Sequence, residues 1–285
     1  MEKQFKPFFK WSGGKSKEFG KVVKWMPDNY DTYYEPFVGG GAIWLGLNPQ
    51  KAVIGDFYDE VSNFYNILKT EGQSFIDECN EISETYNSLI KDNVTVSKTK
   101  KEGKEQFKPA ADIYYNWRKQ HCLSGKQKAI RFFILRCLGY GGMLRFNSKG
   151  EFNVPFGYYK TLKKLHYPDG ITTLLNNTTI HNQSWEKTME TASKNDFAFF
   201  DPPYTRQFSE YSSGNDFGAD EHQKLADFFN SKQCKCMIII NKDDFTSKLY
   251  NGHIKEEYVF KYSTRYRDRL SDEDNTTYHI LATNY

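Results

Sequence analysis

FAFFDPPYTRQF, residues 197–208, joins a run of apolar side chains to an aspartate, two prolines and a tyrosine. The continuous run from Phe197 to Phe200 reads as a strand buried on both faces, because a strand with one solvated face would alternate. Asp201 closes that strand with a charge. Pro202 and Pro203 cannot donate to a ladder, so the strand stops and a stiff turn follows. A second continuous run, CKCMIIIN from Cys234 to Asn241, reads the same way, and EHQKLADFFNSK between them supplies a crossover helix. Two such strands joined by a helix predict a sheet covered on both sides, an α/β architecture.

The first third of the chain has the same rhythm. YYEPF (Tyr33 to Phe37) reads as a strand running into VGGGA, with IWLGL as the following helix, and KAVIGD (Lys51 to Asp56) reads as a second strand. EVSNFYNILKTEG then places Val61, Phe64, Tyr65 and Leu68 on one helical face. From Gly72 the character changes: IDECNEISETYNSLI and KQKAIRFFILRCL read as helices, and MLRFNSKGEFNVPF as a hairpin turning at NSKG. The expected organisation is one α/β domain made of residues 1–71 and 175–285, interrupted by a mainly helical insertion at 72–174 that contains a β-hairpin.

A length of 285 residues suffices for one sizeable core with such an insertion. No segment approaches the roughly 18 apolar residues of a membrane span and the N-terminus has no apolar leader core, so a soluble cytoplasmic protein is expected. The five cysteines, Cys79, Cys122, Cys137, Cys234 and Cys236, have neither zinc-site nor redox CxxC spacing and are expected to be reduced and mostly packed. No metal is called for. Net charge is only +3, yet residues 91–170 carry roughly 17 Lys or Arg against about 6 Asp or Glu. That asymmetry points to a polyanionic partner; for Asp92 to Lys108 alone, a solvated lysine-rich surface, as a loop or frayed helix, is the preferred reading. The 23 Phe and 20 Tyr fill a core, and beside basic residues they can also stack on bases.

Three constellations carry chemistry. EPFVGGGA (Glu35 to Ala42) lets a ligand approach the backbone at the carboxyl end of a strand, although it also suits a tight strand-to-helix turn. It is not GxGxxG, and GGKS at Gly13 to Ser16 is no P-loop because Phe9 stands at the upstream glycine position. Asp56, at the end of the next strand, can take both hydroxyls of a ribose or cap a helix. In DPPY, Asp201 and the proline carbonyls are acceptors beside the flat face of Tyr204, which suits a planar ring bearing an amino group; a strand-ending turn is the alternative.

DPPY together with FKWSGGK, EPFVGGGA and GEFNVPFG resembles the Dam-type DNA adenine-N6 methyltransferases, in the family's order from Phe8 to the terminal ATNY. The resemblance implies a Rossmann-like S-adenosylmethionine-dependent methyltransferase sheet with an inserted, mainly helical target-recognition domain. It implies that Trp11, Lys15, Phe37, Gly39, Gly40, Gly41 and Asp56 bind S-adenosylmethionine. Ser184 and Trp185 of QSWEK would border its adenine, with Trp185 where relatives often carry Phe or Tyr. Asp201 would touch the cofactor too, and Asp201, Pro202, Pro203 and Tyr204 would hold a flipped adenine for methyl transfer.

Carried over in the same way, Lys10, Tyr140, Met143, Arg145, Asn147, Pro155 and Gly157 contact double-stranded DNA. Arg145 would read a guanine, Met143 and Pro155 a thymine methyl, and Lys10 an outer guanine. Tyr140 would enter the stack near the vacated base. Gly141 stands where many relatives carry an asparagine. A GATC palindrome is the leading expectation. Enzymes of restriction systems that read longer sites share RFNSKG and NVPF, so a longer site and a cognate endonuclease partner are the alternative. A catalytically silent DNA-binding relative, or an enzyme acting on RNA or on cytosine N4, stands against both. A monomer or weak dimer is expected, and residues 205–218 have no assigned role.

Overall fold

The computed structural model of the chain describes residues 4–94, 100–203, 217–261 and 276–285, so Tyr204 and most of the segment without an assigned role lie outside the described residues. The chain divides into two compact units: Met1–Lys6 with Lys15–Phe57 and Asn177–Tyr285, and Pro7–Gly14 with Tyr58–Asn176.

The first unit is an α/β sheet. Its strands are β1 (Tyr33–Glu35), β2 (Ala52–Asp56), β3 (Thr178–Asn182), β4 (Phe197–Phe200), β5 (Lys235–Asn241), β6 (Ile254–Lys261) and β7 (Thr276–Thr283). They lie in the order β3-β2-β1-β4-β5-β7-β6. The first five pair in parallel, and β7 runs antiparallel to both β5 and β6. This is the Rossmann-like order of a methyltransferase sheet, doubly wound about the gap between β1 and β4, with an antiparallel strand inserted near one edge.

Burial explains which strands read clearly in sequence. All four residues of β4 are buried, as are the five from Cys236 to Ile240 in β5, which a central strand covered on both faces requires. β6 alternates half-buried and exposed residues along its whole length, as an edge strand does. The helices of this unit are α1 (Phe19–Trp25), α2 (Ala42–Leu47), α9 (Trp185–Met189), α10 (Ala219–Ser231) and α11 (Asp244–Leu249). Leu225, Ala226 and Phe229 of α10 pack with Ala198, Phe200 and Ile238, which makes α10 the crossover cover between β4 and β5.

The second unit is mainly helical: α3 (Asp59–Glu71), α4 (Gln73–Asn93), α5 (Lys100–Gln106), α6 (Lys108–Arg118), α7 (Gly125–Leu138) and α8 (Ile171–Asn176). Val61, Phe64, Tyr65 and Leu68 of α3 are buried, as their spacing predicts. Phe9 packs edge-on against Phe64 and Phe132, and Phe64 against Phe75, so the aromatic excess is spent largely on this core.

The expected hairpin is reduced to two isolated antiparallel bridges, Gly139 with Phe156 and Phe146 with Phe152. Pro155 has no N–H to continue a ladder; its carbonyl accepts from Tyr140 at 2.8 Å instead. The turn holds because Asn147 and Glu151 pair through both backbone and side chain. All five cysteines are free thiols; Cys79, Cys234 and Cys236 are buried and Cys122 is exposed.

Candidate active site

Because β1, β2 and β4 are parallel neighbours, their carboxyl ends share one edge of the sheet, and the strand order reverses between β1 and β4, with β2 and β3 added on one side and β5 on the other. Open α/β sheets bind ligands at such a switch point. Three expected segments end there: the glycine loop after Glu35, Asp56 and Asp201.

The glycine loop is held in place from both sides. Gly39 and Gly41 have φ of 46° and 65°, the left-handed region that a side chain resists, so the turn into α2 needs glycine at both. Gly39 N–H donates to Asp56 Oδ2 at 2.9 Å, fastening the loop to the end of β2. Glu35, at the end of β1, is buried and accepts from the Tyr33 hydroxyl at 2.7 Å and from Trp44 N–H at 2.8 Å. Burial pushes its carboxyl up to about 8 despite these donors, and the charges of Asp201 and Asp56 add to the rise.

Asp201 is paired with Lys15. Nζ lies 2.5 Å from Oδ1, with Lys15 only 3% exposed. Burial raises the Asp201 carboxyl above its ordinary value, and the adjacent ammonium holds that rise back. Pro202 is buried and Pro203 half-buried, continuing the turn without backbone donors. Ser184 is the N-cap residue of α9, which packs beside β2, and its carbonyl accepts from Thr188 Oγ1 at 3.0 Å. Trp185 is buried against Phe228, and its indole N–H donates to Glu221 at 3.3 Å.

The remaining expected residues fall in the second unit. Trp11 lies beneath Arg136, whose guanidinium carbon is 4.9 Å from the ring centre, and Arg136 also donates to the carbonyls of Lys10 and Met143. Lys10 Nζ sits 3.8 Å over the Tyr159 ring and donates to the Cys137 carbonyl at 3.4 Å. Arg145 is exposed and donates from Nε to Asn153 Oδ1 at 2.8 Å. Gly157 N–H donates to the Leu138 carbonyl at 2.8 Å, and an added Cβ there would meet Tyr159 at 2.3 Å.

Three residues at this edge escaped the sequence reading. Glu35 belongs to a recognised loop, yet its burial depends on the tertiary packing of Tyr33 and Trp44. Phe57 is 56% exposed directly after Asp56, a placement that the neighbouring acid could have flagged. Glu18 accepts from buried His279, which is 261 positions away, and no local pattern signals that pairing. Among the described residues no group of three or more His, Cys, Asp or Glu could hold a metal ion, and no helix is long and apolar enough to cross a membrane.

Known proteins are similar to this chain along most of its length. The chain is 33% identical to the type II methyltransferase M.CviBI of Paramecium bursaria Chlorella virus NC1A, over 98% of this chain and 100% of that protein. It is 32% identical to a DNA adenine methylase of Haemophilus influenzae, over 87% and 83% respectively. It is 30% identical to the type II methyltransferase M.MjaIII of Methanocaldococcus jannaschii, over 99% and 100%. The profile of one family matches residues 11–264. With its doubly wound sheet and the half-buried Asp201 at the switch point, the chain belongs to the D12 class of N6 adenine-specific DNA methyltransferases.

Proposed function

We propose that the enzyme transfers a methyl group from S-adenosylmethionine to N6 of an adenine flipped out of a short palindromic duplex site, with GATC as the first candidate. The observation that carries this reading is the convergence of Asp201, Lys15, Glu35 and the Asp56-anchored glycine loop at one edge of the first unit.

The residues suit that cofactor. Asp56 can accept from a ribose diol, the two left-handed glycines bring backbone close to a bound chain, and exposed Phe57 offers a face for a purine. Lys15 is a buried cation for a carboxylate. S-adenosylmethionine would supply an electrophilic methyl on a sulfonium sulfur.

The chain's own residues do the rest. An exocyclic adenine amine is a poor nucleophile because its lone pair is delocalised into the ring. The Asp201 carboxylate and the Pro202 carbonyl can each accept one amino hydrogen, which localises that lone pair on N6 for in-line attack. When N6 gains the methyl group it must shed a proton. Asp201, its carboxyl raised by burial, is placed to hold that proton. Tyr204, outside the described residues, is the stacking platform in this reading.

The second unit is proposed as the target-recognition domain. Arg145 would read guanine while Tyr140, Met143, Asn147, Pro155, Gly157 and Lys10 complete the contact, and exposed Lys160 and Lys163 would meet phosphates. The type II names of two relatives make a cognate endonuclease the partner to seek.

Labelled methyl from S-adenosylmethionine should enter duplex DNA as N6-methyladenine, identified after digestion to nucleosides. Sequencing at base resolution gives the site. In Asp201→Ala, incorporation should nearly vanish while DNA binding persists; near-normal turnover there would overturn the role given to Asp201.

A further inference from the structure

Behind Asp201 the first unit buries a second acid–base group that the scheme above does not use. Glu18, immediately before α1, is 2% exposed, and His279 of β7 is fully buried. His279 Nδ1 is 2.7 Å from Glu18 Oε1, and the Tyr258 hydroxyl of β6 donates to the same oxygen at 2.5 Å. Phe260 stacks on the imidazole, with ring centres 4.7 Å apart and planes 12° from parallel.

The geometry fixes the protonation pattern. Burial works to raise the Glu18 carboxyl, but the hydrogen bond from His279, the Lys15 ammonium and the Tyr258 hydroxyl together bring it below its ordinary value. Glu18 is therefore a carboxylate accepting two hydrogen bonds, so Nδ1 of His279 must carry a hydrogen. The cluster is linked to the proposed reacting edge through Lys15, whose carbonyl accepts from Glu18 N–H at 2.9 Å and whose ammonium is ion-paired with Asp201.

We propose that Glu18, His279 and Tyr258 are positioning residues for methyl transfer: they hold the Lys15 ammonium against Asp201, and the opposite charges of Glu18 and of a protonated His279 act on that acceptor. Among the described residues, the charged and titratable groups that act on Asp201 come from several elements. Lys15 lies in the turn before α1 and Glu18 at its start, Glu35 ends β1, Tyr258 is on β6 and His279 on β7. Lys15 and His279 favour the ionised carboxyl, and Glu18 opposes it. The proposal rests on the reading of Asp201 as acceptor for the adenine amine.

Opposite charges predict opposite effects, which a merely structural role does not. Single-turnover methyl transfer should be followed against pH with saturating S-adenosylmethionine and duplex DNA, so that product release does not mask chemistry. His279→Gln should move the acid limb of the rate profile to higher pH, and Glu18→Gln should move it to lower pH, each by about half a unit or more. The double variant, which buries no unpaired charge, should return the limb towards the wild-type position, and it serves if either single variant fails to fold. Limbs that stay in place, or that move in the same direction, overturn the proposal. Asp201→Asn is assayed alongside: near-normal turnover there condemns the underlying reading, whereas an inactive Asp201→Asn with unmoved limbs overturns only the positioning role of Glu18, His279 and Tyr258.

Discussion

Gly39 and Asp56 are joined end to end: the glycine N–H donates to Oδ2 at 2.9 Å, so the loop after β1 is fastened to the tip of β2. The same carboxylate is therefore both a strut for the loop and the proposed ribose acceptor. Asp56→Asn keeps an oxygen for Gly39 but loses the charge, and Asp56→Ala loses both. Titration calorimetry with S-adenosylmethionine should show affinity falling by roughly 10- to 150-fold in Asp56→Ala, the range expected for a charge-assisted hydrogen bond. Asp56→Asn should fall between that variant and wild type. Unchanged affinity in both would remove Asp56 from the cofactor site.

Glu35 predicts a pH dependence of stability. Its carboxyl, pushed up to about 8 by burial, holds a proton in the folded chain at pH values where the unfolded chain, titrating near 4.5, has lost it. The folded state binds more protons across that window, so this group's contribution is greatest below about 4.5 and falls as pH rises towards 8. Glu35→Gln does not titrate, and its amide oxygen can accept from Tyr33 and Trp44. Its melting temperature relative to wild type should therefore rise between pH 5 and pH 9. A constant difference across that range counts against a buried neutral acid.

The parts of this fold that were legible are those whose burial is continuous or strictly periodic. β4 and β5 announce themselves because every residue in the central stretch is apolar, and α3 because its four core residues recur at helical spacing. β6 and β7 were not read. β6 is an edge strand whose Glu and Lys residues break any apolar run, and β7 opens with exposed Thr276 and Tyr278 flanking a half-buried Thr277. Charge was legible only in part. Part of the basic excess of the second unit is met internally: Lys126 pairs with Glu71 and Glu78, Arg131 with Glu60, and Lys164 with Glu84. Those acids sit on α3 and α4, ahead of the segment whose charge stands out. At the proposed reacting edge Lys15 and Asp201 could each be picked out from motifs, but their ion pair, and the Glu18–His279 group, exist only once distant segments are laid side by side.

Gly55, one residue before Asp56, tests how tightly the fold sets the site. A Cβ at this position would lie 2.5 Å from Thr188 Oγ1 and 3.1 Å from its Cγ2, and Thr188 is buried. Gly55→Ala must push α9 away from β2 or bend β2 near Asp56. Overpacking of this kind costs about 1–3 kcal/mol, a fall of several degrees in melting temperature. Cofactor affinity should drop with it. Adding Thr188→Ala removes the obstructing oxygen, so the double variant should regain part of both losses. Additive losses would mean the two residues do not share the space.

Arg145 separates reading from holding. Its Nε and a terminal nitrogen rest on the side chain and carbonyl of Asn153, at 2.8 and 3.2 Å, which aims an exposed guanidinium from a short turn. An arginine that reads a guanine contributes about 1–3 kcal/mol of discrimination. Arg145→Ala should thus lower the ratio of methylation rates on the preferred site and on a duplex with that guanine replaced, by roughly 5- to 150-fold. Asn153→Ala keeps the charge but loosens its aim, and should lower the ratio less. Lys160→Ala, a proposed phosphate contact, should weaken both duplexes alike and reduce the salt dependence of binding by about one counterion. If Arg145→Ala instead slows both duplexes equally, Arg145 holds the backbone, and the sequence is read by other residues of the turn.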